Sequence, residues 1–458
     1  MLINALTAQG LPLAPDSREG EAMADGQAMN SAMHLDQRTL LEEMFGVALV
    51  AVSAEMCLPN TLPPPPSGRQ LILGVGKAAA AMVKVAMQYA KPDAEAIILT
   101  RYGHGLPAAE LPENVTQYEA GHPLPDAHGI QATAAVLEQV RQLGEGDQLL
   151  ALVSGGGSAL LTLPAENVAL DDKQYITREL LHSGASISQI NCVRKHLSQV
   201  KGGRLAIAAH PAQVVTLAFS DIPGDNAALI ASGPTVPDRT RLDDARRVLE
   251  ATGVKVPAPV SAALLDPANA APDPAAAEFR SSITRVVARS HNALKVAGSL
   301  AHANGYRAVY LGDDLEGDAS ELGVIHAALA LHHARKGGRW ALLSGGETTV
   351  RVNNSAGRGG RNGEYLLSLA IALNGAASIS AIACDTDGID GTQDNAGAVI
   401  DPTTLQRARA AGLSPLDLLQ NNQSYDLFEA LGDLVITGPT RTNVNDFRAI
   451  LVDAPLPN

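Results

Sequence analysis

Short apolar segments alternate with longer helix-forming segments along most of the chain, and this alternation constrains the fold more than any other feature. In the first half the apolar segments lie near residues 69–75, 96–100, 149–154 and 213–221. Strands that are apolar on both faces are typical of parallel sheets, because helices cover both sides of such sheets. The alternation therefore predicts an α/β fold with a mainly parallel sheet.

The alternation restarts after a stretch at residues 257–277 that is rich in proline and alanine. Further apolar segments then follow at 285–288, 306–312, 339–344, 379–385 and 434–438. A chain of 458 residues is too long for one compact core. We expect a larger domain over 36–280 and a smaller one over 281–458, each with its own sheet. Residues 1–35 show no periodicity, and we expect them to form a loosely ordered extension.

Composition excludes several classes of function. The net charge of −14 argues against nonspecific nucleic-acid binding and requires that any anionic substrate be held by a local cationic pocket. The three cysteines, Cys57, Cys192 and Cys384, are far apart and form no CxxC motif, so neither a zinc site nor a disulfide framework is indicated. The sequence shows no apolar segment of about 20 residues and no signal peptide, so we expect a cytoplasmic protein without membrane contact.

Two glycine-rich turns follow predicted strands and have nearly the same composition. At a strand end that leads into a helix, backbone N–H groups are unpaired and the helix dipole adds positive charge. Bare backbone there can cradle a phosphate or carboxylate, although tight packing of helix on sheet would also select glycine. The first turn comprises Ser154, Gly155, Gly156, Gly157 and Ser158; the second comprises Ser344, Gly345, Gly346 and Glu347.

A third turn has the sequence GVGKAAAAM at residues 74–82. It lacks the GxxxxGK[ST] spacing of a phosphate-binding P-loop, and it approximates the GxGxxA pattern of dinucleotide sites only weakly. Lys77 follows the turn directly and would direct its ammonium group toward the same edge of the sheet. A solvated surface lysine is the alternative.

Basic residues cluster in the stretch 190–206, although the chain as a whole is acidic. A single helix over 187–208 would place Arg194 and Lys201 on one face, with Lys195 beside them. Such a face could bind an oxyanion or could be a solvated helix surface. A further arginine, Arg361, lies on a glycine-rich segment and could grip phosphate or carboxylate oxygens in a bidentate manner.

Acidic residues follow two further strands. Asp385 and Asp387 end one strand, and carboxylates there can hold Mg²⁺ beside nucleotide phosphates. Asp221 ends another strand and is a candidate base for a substrate hydroxyl, although the residues leave open which aspartate has that role. Turns and helix caps are the alternative for each of these residues. Anion cradles, cations and aspartates together are the parts that phosphoryl transfer requires.

Taken together, the motifs resemble the class II glycerate kinases, D-glycerate 2-kinases whose C-terminal half contains the MOFRL domain. The resemblance runs from about residue 37 to residue 450. It implies a large Rossmann-like N-terminal domain over 36–280, a smaller MOFRL-containing domain over 281–458, and an active site in the cleft between them. The motifs that carry it lie at 74–82, 119–129, 152–161, 190–206, 220–238, 342–350, 357–364 and 385–401.

The resemblance also implies the reaction. ATP and Mg²⁺ would be cosubstrates, D-glycerate would be the acceptor, and 2-phosphoglycerate the product; it also points to a homodimer. Lys77 and the arginine of the GGRN motif, Arg361, would be the leading catalytic residues. Where the family is expected to have GGRNQEL this chain has GGRNGEY, so Gly363 and Tyr365 change the packing around the motif.

Two other functions are compatible with the sequence. Proteins of this family often bear the name hydroxypyruvate reductase, and GVGKAA followed by Arg101 gives an NAD(P)-dependent reductase some support. In such an enzyme the acidic motif and Arg361 would have no task in hydride transfer. A sensor that binds a small anion without turnover is the other alternative.

Overall fold

The structure is a computed structural model that describes residues 36–456, so the extension predicted over 1–35 lies outside the described residues. The first half forms a parallel sheet of six strands in the order β3-β2-β1-β4-β5-β6. These strands are β1 (Gln70–Val75), β2 (Glu95–Arg101), β3 (Val115–Ala120), β4 (Gln148–Val153), β5 (Gln213–Phe219) and β6 (Ser282–Ala288).

Helices cover both faces of the parallel sheet, which is why every residue of β1 and of β4 is buried. Several helices begin at a capping side chain; the carboxylate of Asp126, for example, accepts a hydrogen bond from the backbone N–H of Gly129. The helices after the first strand are α3 (Ala79–Met87), α4 (Ala127–Arg141), α5 (Gly157–Leu160), α6 (Leu170–His182), α7 (Ile187–His196), α8 (Arg204–Ala209), α9 (Leu242–Thr252) and α10 (Ala258–Leu265); α1 (Gln37–Ala51) and α2 (Ala54–Cys57) precede it.

The second half forms a mixed sheet of six strands in the order β11-β10-β9-β12-β8-β7, in which only β7 and β8 pair in parallel. Its strands are β7 (Arg307–Gly312), β8 (Gly338–Ser344), β9 (Ile379–Asp385), β10 (Gly397–Ile400), β11 (Leu434–Val435) and β12 (Asp446–Ala454). Its helices are α11 (Ser290–Ala303), α12 (Ala319–Lys336), α13 (Arg361–Leu373), α14 (Thr404–Ala410), α15 (Pro415–Gln420) and α16 (Ser424–Leu431). Within residues 36–456, no helix combines the length and apolarity that crossing a bilayer requires.

The two sheets do not divide the chain at residue 280. Strand β6, which we expected to open the second sheet, pairs with β5 at the edge of the parallel sheet. Helix α1 packs against the mixed sheet, where the rings of Phe45 and Phe447 lie 5.7 Å apart. The apolar side of α1 needs a partner, and the mixed sheet provides one across a long sequence separation.

The basic helix predicted over 187–208 is interrupted. It ends at His196, and α8 begins only after Gly202 and Gly203, whose positive φ angles of 60° and 85° do not continue a helix. Arg194 and Lys201 therefore do not lie on one helix face, contrary to the prediction.

Strands β1 and β4 are neighbours at the centre of the parallel sheet, and the strand order runs outward from them in both directions. In open α/β sheets ligands bind at such a switch point, in the crevice beyond the carboxyl ends of the two strands. The glycine turns that follow β1 and β4 therefore lie side by side where a ligand site is expected.

Candidate active site

The turns after β1 and β4 are hydrogen-bonded to each other. The N–H of Lys77 donates to the carbonyl of Gly155 at 2.8 Å, and the N–H of Ala78 donates to Oγ of Ser154 at 3.0 Å. The Ser154 hydroxyl is buried and holds the two turns together. The hydroxyl is therefore not available to bind a ligand, contrary to our prediction.

Close packing explains two of the three consecutive glycines. A Cβ at Gly155 would collide with the carboxylate of Asp221 and the amide of Asn443, the second of which comes from the mixed-sheet half. A Cβ at Gly157 would lie 2.7 Å from Cβ of Ala231. These glycines let protein side chains approach the backbone, which favours the packing alternative over an open anion cradle.

Gly156 and Ser158 are the members of the first turn that line a cavity. Gly156 has φ of 81°, which favours glycine, and its bare Cα faces the ring of His122. The helix that starts here, α5, has only four residues, so its dipole is weak. The positive charge for an anion must therefore come from side chains, contrary to the helix-dipole cradle that we predicted.

The collision at Gly155 leads to a testable prediction. Gly155→Ala should destabilise the protein by about 1–3 kcal/mol, because Asp221 and Asn443 must move away from the added methyl group. Gly46→Ala is the control: nothing lies within 4 Å of its Cβ position in α1, and alanine is the better helix former. Urea unfolding midpoints of the two variants measure the difference. Equal midpoints would contradict the packing of Asp221 and Asn443 on this turn.

Lys77 connects the two halves of the site. Its Nζ lies 2.5 Å from Oδ2 of Asp387, in the segment after β9, and its side chain is 14% exposed. Burial alone would lower the pKa of Lys77, but the charges of Asp387 and Asp385 outweigh it, so the pKa lies above its ordinary value. The lysine is therefore a fixed cation at the interface of the two sheets.

Arg361 begins helix α13 and is held by three carboxylates. Its Nε lies 2.8 Å from Oδ1 of Asp446, one Nη lies 2.7 Å from Oδ2 of Asp385, and the other lies 3.1 Å from Oε1 of Glu347. Asp446 and Asp385 are paired across strands β12 and β9, which places both at the same edge of the mixed sheet. Burial opposes the charged form, but Asp446 and Asp385 hold the pKa of Arg361 well above its usual range.

The second glycine turn also packs against protein. Ser344 is buried at the end of β8, Gly345 meets the side chain of Ser290, and Gly346 meets the backbone of Leu315. Glu347 is the member of this turn that lines the cavity. The resemblance between the two turns therefore extends to tight packing but not to a shared anion cradle.

The basic residues of the stretch 190–206 have different surroundings in the fold. Lys195 is buried and pairs with Asp238 at 3.3 Å. Lys201 is buried behind the first turn, where Nζ donates to the carbonyls of Ser158 and Leu161 at 2.9 Å each. The ammonium groups of Lys195 and Lys201, which we expected to bind substrate, are therefore bound to protein atoms. Of the three predicted ligand cations, Arg194 is the one that lines the cavity.

Asp385 and Asp387 are committed to protein partners on every carboxylate oxygen. Besides their ion pairs with Arg361 and Lys77, Asp385 accepts a hydrogen bond from the N–H of Asp387, and Asp387 accepts one from the N–H of Ile389. Among the described residues, no set of three or more His, Cys, Asp or Glu side chains is placed to ligate one metal ion. The two aspartates are therefore not a closed metal site.

The acidic edge nevertheless carries excess negative charge. Burial, reinforced by the charge of Asp387, raises the pKa of Asp385 to about 6. Burial also raises the pKa of Asp221, against the opposing charge of Lys77. Mg²⁺ that binds with phosphates usually takes only one or two carboxylates and completes its shell with phosphate and water oxygens. Asp385 and Asp387 could fill that limited role by exchanging their contacts with Arg361 and Lys77 for the metal ion.

Lys173 is a further residue of the site, and it belongs to none of the predicted motifs. It lies on α6 and is 4% exposed, its Nζ is buried without a hydrogen-bond partner among the described residues, and it lines the same cavity. Burial lowers its pKa to about 7, and the charge of Arg194 adds to this effect. The signal was available: Lys173, Ile176 and Leu180 have helical spacing and form the buried side of α6, so a lysine occupies a core position.

The cavity has a volume of about 750 Å³ and is lined from both halves of the chain. Arg194 and Lys173 lie on walls formed by α7 and α6, whereas Asp221 and Glu347 lie on the side of the acidic edge. Lys77 and Arg361 are not in the lining; they lie directly behind it, against Gly156 and Glu347 respectively. The site therefore combines a cavity that charged residues line with fixed cations and acids at one edge.

Two family profiles match the chain. A domain of unknown function, DUF4147, matches residues 40–265, and the MOFRL family matches residues 340–446. The D-glycerate 2-kinase of Thermotoga maritima is 40% identical over 416 residues, which cover 89% of this chain and 97% of that protein. The chain belongs to the glycerate kinase family. The resemblance inferred from the motifs is thereby confirmed, as is the two-sheet α/β architecture.

A solved member of the family has the same fold. The crystal structure of glycerate kinase from Thermotoga maritima matches with a TM-score of 0.79 at 38% identity and covers 91% of this chain and 99% of its own. A protein of Agrobacterium vitis is 45% identical over 95% of this chain and 99% of its own length, and it carries the provisional name hydroxypyruvate reductase. The two names expected for the family, glycerate kinase and hydroxypyruvate reductase, are therefore both found among the relatives of this chain.

Proposed function

We propose that this protein transfers the γ-phosphoryl group of ATP, with Mg²⁺, to the 2-hydroxyl of D-glycerate and forms 2-phosphoglycerate. The ion pair between Lys77 and Asp387 is the observation that carries the proposal, because it joins the turn at the switch point of the parallel sheet to the acidic edge of the mixed sheet. Membership in the glycerate kinase family supports the choice of reaction and acceptor.

Lys77 and Arg361 would stabilise the negative charge that spreads over the transferred phosphoryl oxygens. Both are cations held in place by carboxylates, so they need little reorganisation during the reaction. To act, each must exchange part of its carboxylate contact for a phosphate oxygen.

Asp221 would accept the proton of the attacking hydroxyl. It lines the cavity, and the rise in its pKa on burial makes it a better base than an exposed aspartate. Asp385 and Asp387 would contribute the carboxylate ligands of Mg²⁺, which neutralises charge on the phosphate oxygens when bound. Their place at the end of β9, beside Lys77 and Arg361, supports this assignment.

Product analysis tests the proposal. After incubation of the full chain with D-glycerate, ATP and MgCl₂, phosphorus NMR should show 2-phosphoglycerate and ADP, and an excess of EDTA should abolish the reaction. Absorbance at 340 nm with hydroxypyruvate and NADPH serves as the parallel assay for the reductase alternative. Formation of 3-phosphoglycerate would contradict the proposed position of transfer, and an NADPH-linked rate without phosphorylation would contradict the kinase.

A further inference from the structure

Lys173 is a buried cation whose partner is missing from the described part of the chain. The solvent-accessible surface of its Nζ is less than 1 Å², and this nitrogen makes no hydrogen bond within the described residues. A buried ammonium group is costly unless an anion or several acceptors surround it. The position lies on the buried side of α6, next to Ile176 and Leu180, where an apolar residue would pack without that cost.

Arg194, on the neighbouring helix, is half-buried and also has no partner among the described residues. It lines the cavity from α7, and among residues 36–456 its guanidinium forms neither an ion pair nor a hydrogen bond. The charges of Lys173 and Arg194 act on each other, since Arg194 lowers the pKa of Lys173. Two cations that repel each other, each without an anionic partner, form a wall of the same cavity.

The neighbouring lysines show what a structural role looks like in this fold. Lys195 has Asp238 as its counter-ion, and Lys201 donates to two backbone carbonyls. Lys173 has no such contact, although it is buried to the same extent as Lys195. The acidic members of the lining, Asp221, Glu316 and Glu347, form no ion pair with either cation. A bound anion is the partner that would complete the cationic wall.

We propose that Lys173 and Arg194 together bind an anionic oxygen group of the substrate, either a carboxylate or a phosphate. Which molecule carries this group follows from the proposed function; the binding of an anionic group does not depend on it. Polar groups of Ser158 and Asn191 line the same part of the cavity; the Ser158 hydroxyl is linked through Ser232 to the amide of Asn191. The Nδ2 group of Asn191 can donate a further hydrogen bond to the anion, whereas the Ser158 proton is used in the contact with Ser232.

Calorimetric titration of the full chain tests the proposal with three probes: D-glycerate, the non-hydrolysable analogue AMP-PNP with MgCl₂, and inorganic phosphate. Lys173→Met and Arg194→Met should each weaken the same probe by at least about 10-fold, as expected for loss of a charged hydrogen-bond donor. Without ligand, Lys173→Met should leave the thermal midpoint unchanged or raise it, because it removes an uncompensated buried charge. Lys295→Met, at an exposed position of α11, is the matched control and should change neither.

Each outcome decides the matter. Loss of D-glycerate binding identifies the group as the acceptor carboxylate, whereas loss of AMP-PNP or phosphate binding identifies it as a phosphate. Unchanged affinity for all three probes, loss of different probes in the two variants, or a lowered thermal midpoint of Lys173→Met overturns the proposal. A wild-type protein that forms no 2-phosphoglycerate but binds phosphate through Lys173 and Arg194 leaves it intact while the proposed function fails. A wild-type protein that binds no probe overturns both.

Discussion

Lys77→Met is expected to lower kcat for glycerate phosphorylation by at least about 100-fold, because it removes a fixed charge from the transition state. The same variant should also lose about 3 kcal/mol of stability, since it removes the cationic partner of the buried Asp387. The two effects separate in the double variant Lys77→Met/Asp387→Asn. It should regain most of the stability because both charges are gone, but none of the activity.

Steady-state kinetics and urea unfolding of the single and double variants measure these effects. Lys84→Met is the matched control: this lysine lies on the helix that follows Lys77, and its ion pair with Glu110 is exposed, so rate and stability should change little. A double variant that recovers activity along with stability would show that Lys77 only holds the two halves together. Unchanged kcat in the single variant would refute its catalytic role.

The parallel sheet could be predicted from the sequence because local signals determine it. Strands that are apolar on both faces, followed by glycine turns and helices, predict parallel pairing, and the observed bounds of β2 and β4 differ from the predicted ones by a residue or so. The position of Lys77 at the end of β1 followed from the same pattern. Its distance to Asp387 did not, because that contact joins residues 310 positions apart.

The mixed sheet could not be predicted in the same way. Strand β12 runs antiparallel to both of its neighbours, and nothing local in its sequence indicates that it closes the centre of the sheet. Its first residue, Asp446, became a site residue only through this pairing, which brings it opposite Asp385 and within reach of Arg361. Arg361 and Asp385 were predictable from the sequence, whereas the carboxylate between them, Asp446, was not.

Basic residues were the least predictable part of the site. Whether a lysine binds substrate depends on what else can accept its hydrogen bonds, and Lys201 and Lys195 have protein acceptors that are distant in sequence. Lys173 shows the opposite case, in which the helical spacing places a charge in the core and leaves it without a partner. Charge counts along the chain cannot distinguish these cases, but burial periodicity can.

Tyr365, one of the two departures from the expected GGRNQEL motif, has a definite place in the fold. It is fully buried, its hydroxyl is 2.8 Å from Nδ1 of His326, and the guanidinium of Arg448 lies 5.4 Å from its ring centroid. Gly363, the other departure, packs against the side chain of Ser424. Tyr365 therefore contacts the arginine that pairs with Asp446, the carboxylate that holds Arg361.

Arg448→Met is expected to lower the free energy of unfolding by about 3 kcal/mol, because buried Asp446 keeps only Arg361 as a cationic partner and the carbonyl of Gly345 loses its donor. Arg448 is 1% exposed, pairs with Asp446, and donates to the carbonyl of Gly345 at 3.0 Å and to Oγ1 of Thr348 at 3.2 Å. Urea unfolding at neutral pH measures the loss. Activity should fall as well, because Asp446 also orients Arg361.

Arg358→Met is the matched control, because Arg358 also lies over a tyrosine ring, with its guanidinium 4.5 Å from the centroid of Tyr425, but on the surface. Its carboxylate partner Asp426 is partly exposed, so water can replace the contact and the loss should stay below about 1 kcal/mol. A large difference between the two variants would show that burial of the Arg448–Asp446 pair, and not the arginine–tyrosine contact, supports the site. Equal losses would assign that support to the aromatic contact, and Asp446 would then hold Arg361 without help from Arg448.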